Sequence, residues 1–175
     1  MIRRIFTTIL LFAVAPCALA DRQTDLNAEL QPAQKALAAG DYEKAYARYA
    51  HFAARNPLAQ FALGLFYQNG WGRTADTAEA CRRFEKAAHG NIPAAQHFFG
   101  DCLAQGIASP ADAKSALAWY RRAAGNGSLV SLCSAADLYI KGKGIDKDVQ
   151  QGLALCTQAA QADSLPAMLK LANYY

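Results

Sequence analysis

Apolar residues in this chain fall in stripes of helical spacing, and the stripes return on a fixed step of 36 residues. Phe61, Leu63, Phe66 and Tyr67 make one stripe, closed by the segment Gly70-Trp71-Gly72. Gly142-Lys143-Gly144 stands at the same place two steps on. Between them, Gly106-Ile107-Ala108-Ser109-Pro110 keeps the first glycine and loses the second. Tyr67, Leu103, Tyr139 and Tyr175 form one 36-spaced series, and Asp76, Asp112 and Asp148 form another. The Ala pairs at 87/88, 123/124 and 159/160 form a third. A period of this length predicts stacked helical hairpins, each burying its apolar face on its neighbours instead of around one central core.

Each unit reads as two helices around the Gly-rich loop. The second helix opens on the recurring Asp, whose carboxylate can accept the orphan N–H groups of the first turn. Glu79 follows Asp76 by three residues and Gln151 follows Asp148 by three, both predicting capping boxes, with Ser115 a weaker version after Asp112. These acids are therefore expected as caps before catalytic groups. Gly64, Gly100, Ala136 and Ala172 on the first helices are expected to face Ala80, Ala116 and Gly152 on the second, with the large residues at 84 and 120 filling the adjacent groove.

Upstream, Gly40-Asp41-Tyr42-Glu43-Lys44-Ala45 predicts another second helix running to about Arg55. Its partner is expected within Thr24–Ala39, opened or kinked by Pro32. The expected organisation is a capping hairpin at 21–57 and repeats at 58–93, 94–129 and 130–165, with a partial unit at 166–175. In that last helix, Leu165, Met168, Leu171, Ala172 and Tyr175 are expected to seal the stack. Leu169 and Tyr174 point elsewhere, so the helix can serve as a cap or as a self-association surface.

The first twenty residues predict an export signal: Arg3 and Arg4, an apolar run Ile5–Ala15 too short for a comfortable membrane span, then cleavage after Ala20. The remaining 155 residues suit one domain, and 16 basic against 14 acidic residues leave a charge of about +2. That balance gives nucleic acid no special claim as a partner. The expected product is periplasmic or secreted, with no integral membrane segment after cleavage.

Four cysteines would survive cleavage: Cys81, Cys102, Cys133 and Cys156. An even number in an oxidising compartment favours disulfides. Across an antiparallel hairpin, residues whose numbers add to a constant lie side by side, and Cys133 with Cys156 satisfies this to within one residue. Cys81 and Cys102 satisfy it to within two around the next turn. Other pairings, or four buried thiols packed as small hydrophobes, are the alternatives.

No S-x-x-K, G-x-S-x-G, H-E-x-x-H or P-loop pattern occurs, so no catalytic residue, metal or cofactor is expected. His97 and Asp101 stand four apart on one helix, with Cys102 or His89 near, a weak metal-ligand pattern more consistent with a polar contact.

The string Leu63-Gly64-x-x-Tyr67-x-x-Gly70-x-Gly72, Asp76, Ala80, Phe84, Lys86-Ala87-Ala88 and Gly90 resembles the Sel-one-like repeat, a relative of the tetratricopeptide repeat. The next two units echo it with Gly100, Gly106, Asp112, Ala116 and Trp119-Tyr120, then with Tyr139, Gly142-x-Gly144-Ile145 and Asp148. The resemblance implies an all-α, right-handed solenoid whose first helices line a concave groove. Members are mostly adaptors, envelope regulators, virulence factors or immunity proteins that neutralise secreted toxins. A cysteine-rich branch is linked to β-lactam binding and hydrolysis, but its cysteine places hold Ala88/Gln96 and Ala124/Leu132 here.

On that register, the groove should carry Phe61, Leu65, Gln68 and Asn69 from the first repeat and His97, Asp101 and Gln105 from the second. Asp137 and Lys141 follow from the third, then Leu169 and Asn173, and Cys133 would also face it. Phe61 and Leu65 would form an apolar patch unless the N-terminal hairpin covers them. The expected function is a non-enzymatic module gripping an envelope regulator or secreted toxin. A cell-wall or β-lactam-acting enzyme and a self-associating structural unit are the alternatives.

Overall fold

The computed structural model describes residues 17–162 and 164–174, with side chains from residue 25 except residue 26. The expected export signal at 1–20 lies mostly outside the described residues, as does Tyr175. Nine helices and no strand occur among the described residues. They run α1 Cys17–Ala38, α2 Tyr42–Phe52, α3 Pro57–Asn69, α4 Thr77–His89, α5 Pro93–Gln105, α6 Ala113–Gly125, α7 Val130–Lys141, α8 Val149–Gln161 and α9 Leu165–Ala172. Each packs chiefly on its neighbours in sequence, and the buried side chains form consecutive clusters along the stack. The architecture is an all-α solenoid.

The repeated aspartates act as caps. Asp41, Asp76, Asp112 and Asp148 each accept a backbone N–H three residues on, at 2.9–3.1 Å. The capping boxes are only half formed. Glu79 turns away to Arg82 Nε (2.7 Å) and Arg83 Nε (2.6 Å). The N–H it would have accepted is already donated to the carbonyl of Tyr67 at 2.9 Å. The same bond joins Asp112 to Leu103 and Asp148 to Tyr139, each 2.9 Å. Two of the 36-spaced series are thus the two ends of one recurring hydrogen bond that ties the loop across its hairpin. The first-helix glycines Gly70, Gly106 and Gly142 take positive φ (67°, 75°, 63°), a left-handed turn that a β-carbon resists.

The small residues do meet the second helices, but through rings. A β-carbon on Gly64 would stand 2.4 Å from Cε1 of Phe84, and one on Gly100 2.6 Å from Cε1 of Tyr120. The third unit exchanges the roles: Ala136 has the β-carbon and Cys156 replaces the ring, both fully buried. There the tight approach moves to Gly152, where a β-carbon would stand 2.5 Å from Cγ1 of Ile140 and 3.0 Å from the carbonyl of Ala136.

Three expectations change. Helix α1 begins at Cys17, and Pro32 lies in its interior, where it has no N–H for the carbonyl of Ala28. Cys133 does not face the groove; it is fully buried and bonded to Cys156, with α9 laid over the bridge through the carbonyl of Ala167. The sealing face of α9 is Ala167, Leu171 and Tyr174, while Leu165 and Met168 are 64% and 41% exposed. The narrow methyl of Ala167 allows close approach to the disulfide, and that rotates the larger apolar residues outward.

Both predicted disulfides are present. Cys81–Cys102 joins α4 to α5, stapling the first repeat to the second, with Cα atoms 5.9 Å apart. Cys133–Cys156 joins α7 to α8 inside the third hairpin, Cα atoms 4.3 Å apart.

Candidate partner-binding groove

The first helices of the repeats, α3, α5 and α7, carry one continuous face, and three hollows follow one another along it. They are copies of one pocket. The residue inside each Gly-rich loop lines its own hollow: Trp71 in the first, Ile107 in the second and Lys143 in the third, each 36 residues after the last. Ala62, Phe98 and Ser134 repeat in the same way, as do Leu65, Asp101 and Asp137. Scaffold positions hold the shape while these positions change the chemistry.

The first hollow, ≈ 190 Å³, lies between α1 and α3 and is walled by Leu30, Leu37, Tyr49, Phe61 and Leu65. Phe61 and Leu65 are half-buried, so the N-terminal hairpin shields part of the predicted apolar patch. The second, ≈ 100 Å³, has Phe84, Phe98, Ile107 and the Cys81–Cys102 bridge as its walls and Gln68, Asp101 and Gln105 as polar lining. Phe84 and Phe98 stack there at 4.9 Å between centroids. The third, ≈ 340 Å³, is lined by Tyr120, Ser134, Asp137, Lys141, Lys143 and Lys170, and shares Asp101 and Gln105 with the second.

Both carboxylates of the third hollow are held by internal donors. Tyr120 donates its hydroxyl to Asp101 (2.6 Å), which also faces His97 Nε2 at 3.6 Å. His97 Nδ1 meets Ser131 Oγ at 3.0 Å. Asp137 receives Tyr174 (2.5 Å) and Lys170 (2.7 Å), with Lys141 at 3.5 Å. Burial would raise the Asp137 carboxyl, but the hydrogen bonds from Lys170 and Tyr174 and the two lysine charges outweigh it and hold the pKa below the usual carboxylate value. Burial, then the Asp101 charge, pushes the Tyr120 hydroxyl well above its ordinary value; burial and Asp137 do the same to Tyr174. Burial holds the His97 imidazole below its ordinary value; Asp101 opposes this shift and Lys170 reinforces it. Each of these tyrosines donates its hydroxyl proton to a carboxylate.

Of the predicted groove residues, Gln68, Asp101, Gln105, Asp137 and Lys141 line the second and third hollows, and Phe61 and Leu65 the first. His97 orients Asp101 from behind. Asn69 returns its amide to the carbonyl of Leu65 (2.9 Å), and Asn69, Leu169 and Asn173 line none of these hollows. Tyr120, Tyr174 and Lys170 were not foreseen. Tyr120 shares its repeat position with Phe84, and the hydroxyl that Phe84 lacks is the signal that set it apart.

No group of three His, Cys, Asp or Glu that could hold a metal occurs among the described residues. The metal-ligand pattern at His97 loses Cys102 to its disulfide. No helix of the described residues is long and apolar enough to cross a membrane.

Comparison with known proteins agrees with this geometry. The chain is 31% identical to a Sel1 repeat protein of Oxalobacter formigenes whose crystal structure superposes with a TM-score of 0.74, over 95% of this chain and 68% of that one. It is 26% identical to a protective antigen of uropathogenic Escherichia coli strains displaying an SLR fold, with a TM-score of 0.74 over 90% of this chain and 35% of that one. An uncharacterized protein of Neisseria meningitidis serogroup B is 32% identical over 122 residues, and the match spans 69% of this chain but only 25% of the relative's length. The Sel1 repeat matches three times, at residues 57–91, 93–128 and 130–164. The chain therefore belongs to the Sel1 repeat family.

Proposed function

We propose that this protein is a non-enzymatic interaction module, exported to an oxidising compartment, that grips a segment of another protein along the face of α3, α5 and α7. Sel1 repeats generally mediate protein–protein interaction, which supports the class of activity. One observation carries the assignment to this face: three successive hollows open along it, and the loop residue lining each changes from Trp71 to Ile107 to Lys143. Stacked repeats create an extended surface of this kind, and it is the surface such proteins use for binding. The two disulfides, together with the N-terminal sequence, support export. An adaptor or envelope regulator is the reading favoured; neutralisation of a secreted toxin is a special case of the same contact.

Photo-crosslinking in cells tests the face. A benzophenone amino acid placed at Gln105, exposed on the rim of two hollows, should yield a discrete adduct with one other protein. The same probe at Glu85, exposed on α4, should not. Adducts from Glu85 alone, or from neither position, would contradict the proposal.

A further inference from the structure

The third hollow has unequal binding capacity left over. Asp101 and Asp137 already take Tyr120, Tyr174 and Lys170 as close partners. Lys141 reaches Asp137 only at 3.5 Å and its side chain is 65% exposed. Lys143, exposed in the Gly142-Lys143-Gly144 loop, has no ion pair among the described residues. What this end of the groove offers an incoming chain is ammonium N–H, not carboxylate. The second hollow offers the opposite: an apolar recess of ≈ 100 Å³ between Ile107 and the stacked Phe84–Phe98 rings, large enough for one aliphatic side chain. The two hollows share Asp101 and Gln105 as lining residues, so one extended segment can occupy both.

We infer that the groove takes an acidic segment of a partner protein, seating an apolar side chain against Ile107 and holding an Asp or Glu carboxylate of the same segment at Lys143 and Lys141. The inference rests on the interaction face proposed above and names the chemistry that face selects. Charge complementarity argues for the carboxylate. The third hollow is lined by three lysines, Lys141, Lys143 and Lys170, against two carboxylates, Asp101 and Asp137, and the least engaged cations lie on the loop side. The direction follows from the repeats: apolar end over α3–α5, acidic end over α5–α7. The residue inside the Gly-rich loop is the selector, because it lines its own hollow in every unit and changes from aromatic Trp71 to aliphatic Ile107 to cationic Lys143.

Panning a phage library of random linear peptides on the disulfide-bonded full chain tests this. The enriched peptides should pair an apolar residue with Asp or Glu. A resynthesised winner should bind about tenfold more weakly to Lys143→Glu and lose less with Lys143→Met, the order expected for a desolvating charge contact. Replacing the peptide's acid by lysine should restore binding to Lys143→Glu and weaken it to the unaltered chain. Lys143 is solvent-exposed, so thermal melting should be unchanged and loss of fold is separable from loss of contact. Enrichment of basic or uncharged peptides, no enrichment at all, or equal affinity for the unaltered chain and Lys143→Glu would overturn the inference. If crosslinking through Gln105 succeeds while peptide selection ignores acids, the interaction face stands and only its acidic preference falls.

Discussion

Gly64 and Gly100 are required by the rings opposite them, and the requirement can be measured. A methyl at Gly100 would meet Tyr120 Cε1 at 2.6 Å, and Tyr120 cannot withdraw freely while its hydroxyl is bonded to Asp101. Gly100→Ala should therefore lower stability by about 1–3 kcal/mol in urea unfolding. Gly125→Ala on the next helix has nothing within 4 Å and should be neutral or stabilising by up to about 1 kcal/mol. His97 supplies a second residue-scale prediction. Its folded pKa lies below its ordinary value, so between the two the unfolded chain binds more protons and stability falls as pH falls. The groups facing it are Asp101, Ser131, Tyr120 and Lys170. Melting temperature should drop between about pH 7.5 and about pH 5.5, a window spanning the ordinary imidazole value, and His97→Gln should reduce that drop. The glycine-against-ring contact and the His97–Asp101 pairing were legible in the sequence; the part played by the Tyr120 hydroxyl was not. Tyr120 reads as a packing residue like Phe84, and only its contact with a neighbouring helix shows what the hydroxyl does.

Helices and their staples behave differently at the two ends of the stack. Cys81 and Cys102 are 4% and 5% exposed and line a surface hollow, whereas Cys133 and Cys156 are fully buried under α9. Mild reductant followed by maleimide tagging should open Cys81–Cys102 first, with the second pair opening only as the C-terminal hairpin unfolds. Replacing either pair by serines should cost roughly 3 kcal/mol, given closed loops of about twenty residues. Simultaneous reduction of both pairs would show that α9 does not protect its bridge. At this scale much was readable beforehand. Helix number, caps and cysteine partners follow from period and constant-sum spacing, which depend only on distance along the chain. Rotation about a helix axis does not. That is why Cys133 was expected in the groove, and why Ala167 rather than Leu165 or Met168 turns out to face the stack. Glu79 belongs with them: its local spacing suggested a box, but the Arg82 and Arg83 guanidinium groups within one turn compete for it.

Across the whole molecule, the repeats set a register in which chemistry changes one unit at a time: aromatic at Trp71, aliphatic at Ile107, cationic at Lys143. The period was visible from spacing alone, and so was the drift from apolar to polar along the first helices. The loop residues were not recognised as pocket walls, because a Gly-x-Gly turn reads as a connector until its middle side chain is seen folded over the neighbouring helices. The central claim is that this graded face is where a partner binds. Hydrogen exchange on the chain with and without the protein captured through Gln105 tests it most directly. Slowed exchange should be concentrated on α3, α5, α7 and the loops carrying Ile107 and Lys143, with α4, α6 and α8 unchanged; protection confined to those outer helices or to the exposed side of α9 would contradict it.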